Sequence, residues 1–188
     1  MKLQKKDYKK FIKKKTIETM KIKLPIPKNF TEDVIAKTSD TPFLEQLDFN
    51  IEQLNYRLSV LASIDVTVKE NQSYFLMVCD SVLVIIRAVL LEKGQKNYTI
   101  QRYLKTFGLE RQLSDLEAYL ASNFSIYNKS IKDVLKFITD KFICHVDNTG
   151  FMEIGNANFI MSTFMNPYVD CNLQSIINKI NTIINKTY

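Results

Sequence analysis

Leu44, Leu47, Ile51, Leu54, Leu58 and Leu61 follow one another at spacings of 3, 4, 3, 4 and 3. Only an α-helix gathers such positions onto one stripe, and the stripe is an a/d seam held for nearly three heptads. Thr41-Pro42 suits the start of that helix, with Thr as N-cap and Pro at the first helical position. The seam predicts a helix over about 42–64 that lies along a partner helix. The next segment, 72–93, supplies apolar density: Phe75 to Cys79, Val82 to Ile86, then Ala88 to Leu91. It falls short of about 20 unbroken apolar residues and holds Asp80 and Arg87, each costly in lipid, so the expectation is a bundle's central helix and no integral membrane segment. Ser73, Asp80, Arg87 and Gly94 recur every seven residues and make one polar strip on it.

The remaining periodicities are helical too. Residues 99–107 predict a short helix closed by Gly108. Leu109, Leu113, Leu116, Leu120 and Phe124 mark a helix over about 110–123. Ser130 with Asp133 resembles a capping box and opens a helix over about 131–146, closed by Thr149-Gly150, with Ile131, Val134, Leu135, Ile138, Phe142 and His145 on one face. Leu173, Ile176, Ile177, Ile180, Ile183 and Ile184 define a last helix over about 172–186. Residues 151–169 fit a hairpin, a short helix or a packed loop equally. With 4 Gly and 4 Pro the chain has few of the tight turns that sandwiches, barrels and Rossmann-like sheets use. The expected fold is an all-α bundle of four to six helices with long antiparallel members. At 188 residues and 46% hydrophobic, one such domain needs neither disulfides nor metal. Cys79, Cys144 and Cys171 form no CxxC pair, and no apolar h-region follows the first lysines, so free thiols and a cytoplasmic location are expected.

The net charge of +6 is uneven. Residues 1–23 hold ten Lys against Asp7 and Glu18, a net +8, while the rest carries a net −2. Leu24-Pro25-Ile26-Pro27 stops any helix, and 24–41 reads as an extended connector. The expected organisation is a basic arm with its connector over 1–40 and the bundle over 41–188. In the arm, Lys5, Lys6, Lys9, Lys10, Lys13, Lys14 and Lys15 are candidates for contacts to RNA or DNA phosphates through counterion release, with Tyr8 and Phe11 available to stack on bases. A solvated tail and an anionic membrane surface, with Phe11 and Ile12 inserted shallowly, are the competing uses.

Catalytic motifs are sparse. There is no GxGxxG, GxxxxGK[ST] or GxSxG, and a single His excludes HExxH zinc sites, so no metal or cofactor is expected. His145 is the one side chain whose ordinary pKa lies near neutrality. It reads either as a core residue near a helix end or as a catalytic acid or base. Its setting, Asp-Lys-Phe-Ile-Cys-His-Val-Asp at 140–147, resembles the signature helix of HEPN-domain proteins. There an Arg is followed by four to six residues and a His, often in abortive-infection or toxin–antitoxin proteins. The resemblance implies a helical homodimer in which Arg and His of two protomers meet the scissile phosphate without metal. It also allows an antitoxin or other protein partner. In this chain the Arg falls on Thr139, and neither Ile138 nor Asp140 supplies it. Thr can donate a hydrogen bond but cannot neutralise charge on phosphorus.

The candidate catalytic set is therefore His145, Lys141 on the same helix face, Thr139 at the Arg position, Arg87 as replacement cation and Asp80 orienting His145. In the plainer reading Asp80 and Arg87 are satisfied structurally, or their strip faces solvent. The expected function is a HEPN-like protein of the defence or toxin type that acts on or binds RNA with impaired or altered nuclease chemistry. The alternative is a non-enzymatic helical interaction protein, for instance a phage-encoded inhibitor or regulator, that docks a partner.

Overall fold

The computed structural model describes residues 21–26, 41–65, 67–92, 97–124, 128–140 and 172–188. The chain is mostly helical, as the periodicities require. Among the described residues lie six helices: α1 (Thr41–Ser63), α2 (Lys69–Leu91), α3 (Ile100–Thr106), α4 (Glu110–Ala121), α5 (Ile131–Ile138) and α6 (Leu173–Ile184). Between α4 and α5 sits a pair of two-residue strands, β1 (Asn123–Phe124) and β2 (Lys129–Ser130), antiparallel with Asn123 opposite Ser130. Nothing in the sequence marks those strands, because two residues are too few to show an alternation.

The leucine seam is used inside the chain. Leu47, Ile51, Leu54, Leu58 and Leu61 are all buried, and α1 packs along α2. Asp65 builds the return between them: its carboxylate accepts from the Thr67 backbone at 3.1 Å and the Thr67 hydroxyl at 2.7 Å. Such a short connection lays the two helices antiparallel. α2 is the hub, since α3 and α5 also pack against it, and Val82, Leu83, Ile86, Val89 and Leu90 are fully enclosed. It is long and apolar enough to cross a membrane by length and composition, with a mean hydropathy of 2.2, a property it shares with the central helices of bundles.

Local signals fix several ends. Gly108 takes φ +67°, and Leu109 N–H donates to the Leu104 carbonyl at 2.8 Å, closing α3. Ser130 accepts from the Asp133 backbone at 3.0 Å and donates its hydroxyl proton to the Asp133 carboxylate at 2.6 Å, so the capping pair forms as expected. Asn172 caps α6 by accepting from Ser175 N–H at 2.9 Å. The periodicity carries α5 to about 146; the helix is described to Ile138, with a wider π-type turn over 139–140.

Part of the expected arm and connector is clamped to the bundle. Residues 21–26 belong to no helix or strand, and Ile22 is 1% exposed. Asn55 of α1 holds both polar groups of Ile22, accepting from its N–H at 2.8 Å and donating to its carbonyl at 2.9 Å. From α6, Asn181 accepts from Lys23 N–H at 2.9 Å and donates to the Lys21 carbonyl, and Asn185 donates to the Lys23 carbonyl at 2.9 Å. The Tyr103 hydroxyl donates to the Pro25 carbonyl at 2.7 Å. A buried segment outside any helix or sheet must find such side-chain partners for its backbone.

Candidate functional site

Arg87 and Thr139, two of the sequence-selected residues, both lie where α2 meets the end of α5, but they do not pair with each other. Arg87 turns away from Asp80. Its Nη1 lies 2.6 Å from Asp140 Oδ1, and its Nε lies 3.5 Å from Glu92 Oε1. Both contacts are ion pairs, the first close and the second looser, and Nε is buried without a hydrogen-bond partner among the described residues. Arg87 is 26% exposed and each carboxylate 43%. At that exposure each pair is worth no more than about 1 kcal/mol. The arrangement gives a half-buried cation whose charge is already matched by two carboxylates. It can orient the end of α5 but brings no surplus positive charge to a substrate.

Thr139 faces the core. It is fully buried, and its hydroxyl donates back to its own helix, to the Leu135 carbonyl at 2.9 Å and the Lys136 carbonyl at 3.1 Å. Its one proton is thus committed within the helix, so it offers no hydrogen bond outward. Lys141 and His145 lie outside the described residues, as do the arm lysines Lys5, Lys6, Lys9, Lys10, Lys13, Lys14 and Lys15.

Asp80 is half-buried, with no hydrogen bond or ion pair among the described residues, and burial raises its carboxyl pKa. The neighbouring Cys79 thiol is pushed up to about 12, by burial first and by the charge of Asp80 second, so it stays a protonated, unreactive thiol. A carboxyl whose folded pKa is raised supports the fold fully below its unfolded value, near 3.9, and loses that support as pH rises through the folded value. Asp80→Asn is therefore expected to stabilise the dilute protein at neutral pH and to flatten its stability profile through the acid range. Denaturant titrations at a series of pH values check this, and an Asn variant less stable at pH 7 would contradict it.

Sequence reasoning missed Asp140 as the partner of Arg87. The signal lay in the phrase itself, where Asp140 is the first residue, but a helix pattern does not say which distant cation meets it. An open cleft of about 620 Å³ lies elsewhere, lined by Pro25, Phe107, Leu109, Arg111, Ile184 and Tyr188 among others; Asp80, Arg87 and Thr139 do not line it. At its rim the Tyr188 hydroxyl donates to Asp115, and together with Lys186 it holds that carboxyl below its usual range. Among the described residues no three His, Cys, Asp or Glu side chains group as metal ligands. No family model matches the chain, and neither the curated proteins nor the solved structures contain a match.

Proposed function

We propose that this chain is a HEPN-like helical protein of the defence or toxin type that binds RNA, with weak or no metal-independent cleavage. The observation that carries the reading is the 2.6 Å contact of Arg87 with Asp140. It brings a cation from α2 to the first residue of the phrase at 140–147, where the resemblance places the phosphate chemistry. The same contact argues against turnover. A metal-free transphosphorylation needs a cation free to take up charge on phosphorus, and Arg87 spends its charge on Asp140 and Glu92. Thr139, at the position of the signature Arg, supplies neither charge nor an outward hydrogen bond.

Incubation of the full chain with single-stranded RNA in EDTA tests this reading. Binding is expected together with slow cleavage at most, and His145→Ala should abolish any cleavage while leaving the melting temperature close to that of the natural chain. Cleavage that survives His145→Ala, or that EDTA stops, would overturn the assignment. A chain inert to RNA at low salt would instead leave the interaction-protein alternative.

A further inference from the structure

The open cleft combines apolar walls with one cation that the fold does not use. Its apolar lining is Pro25, Ile26, Phe107, Leu109 and Ile184, and Ile26 is 87% exposed. Three charged side chains join them: Glu110, Arg111 and Lys186. Lys186 already has a counter-charge, since its Nζ lies 3.3 Å from Asp115 Oδ2. Arg111 has none. Its guanidinium lies 5.5 Å from the centre of the Tyr188 ring and makes no hydrogen bond or ion pair among the described residues. A cation–π contact leaves the five N–H donors without an acceptor. Glu110 does not supply one, because sequence neighbours point about 100° apart around a helix and do not face each other.

We propose that the cleft binds a small organic monocarboxylate, its carboxylate on Arg111 and its apolar body against Phe107, Leu109 and Ile184. The planar fork of a guanidinium matches the two oxygens of a carboxylate, and such paired, charge-assisted hydrogen bonds are both strong and directional. One unmatched cation calls for one negative charge. A phosphate monoester brings close to two, and the second would lie unmatched near Glu110. The apolar walls favour a ligand whose remaining atoms are hydrocarbon, because burying them removes apolar surface from water on both sides. A volume of about 620 Å³ also falls within the roughly 300–1,000 Å³ of small-molecule sites. The site is separate from the RNA reading, since neither Arg87 nor Thr139 lines the cleft.

Titration of the full chain with naphthalene-2-carboxylate, followed by the fluorescence of that probe, tests it. Saturable binding is expected, with a dissociation constant of about 0.1–1 mM for a ligand of this size in an open site. 2-Naphthalenemethanol has the same rings without the charge and should bind at least about tenfold more weakly. Arg111→Gln should lower the affinity for the carboxylate by about the same factor. Ile26→Asp should lower it too, by setting a negative charge among the lining residues. Both side chains are exposed, so circular dichroism and melting should stay unchanged in either variant. Binding that does not saturate, equal affinity for the alcohol, tighter binding of uridine monophosphate than of the carboxylate, or indifference to both variants would overturn the proposal.

Discussion

Thr139→Arg is expected to destabilise the protein by about 3 kcal/mol or more, rather than to restore a nuclease. The resemblance places the signature Arg at this position, so the substitution is the obvious repair. The site does not admit it. Thr139 is fully buried with both of its hydroxyl contacts made to its own helix. An Arg there must either desolvate a guanidinium without a counter-charge or push apart the packing of α5 on α2 and α4. For a chain of this size such a change should lower the melting temperature by roughly 10 °C. Thermal denaturation alongside an RNA cleavage assay decides the matter. A variant that keeps its natural melting point and gains cleavage would show that position 139 opens toward substrate.

Two truncations only three residues apart should behave differently. Removing residues 1–20 deletes eight Lys with Asp7 and Glu18, a net charge of +6, and nothing of the clamped segment. Stability should hold, while affinity for single-stranded RNA falls sharply. The slope of log K against log salt should flatten by about 0.7 for each phosphate that the arm no longer neutralises. Removing residues 1–23 takes Ile22 as well, together with the groups that Asn55 and Asn181 hold. That deletion empties a buried site and should cost about 2–5 kcal/mol, as large-to-small changes in cores do. Denaturant midpoints separate the two shortened chains. Equal stability for both would deny Ile22 its place in the core, and an unchanged salt slope would reduce the arm to a solubilising tail.

How far the sequence could be read depended on whether the deciding interaction was local. The a/d seam of α1, the Ser130–Asp133 cap and the left-handed Gly108 are local, and each appears where the sequence places it. Ile22 could not be found that way. One isoleucine among lysines carries no periodicity, and its burial depends on Asn55 and Asn181, which lie 33 and 159 positions away. The exposed side of α2, with Tyr74, Leu76 and Met77, was hidden for the opposite reason. Where a helix is apolar nearly all round, the pattern does not distinguish the face that meets α1, α3 and α5 from the face left over. The polar strip was legible as a strip, but its pairing was not: Arg87 chose Asp140, brought close by tertiary folding, over Asp80 two turns away on its own helix. The candidate site is thus readable in its residue types and not in its connections.

The asparagine clamp on residues 21–26 also couples distant parts of the chain. Asn181 and Asn185 tie the backbone at Lys21 and Lys23 to α6, so the packing of the last helix and the hold on this segment are one event. Loosening of α6 would strip the partners from the polar groups of Lys21 and Lys23 while Asn55 of α1 still holds Ile22. Fraying at one end of the bundle is therefore felt by residues more than 150 positions earlier in the chain.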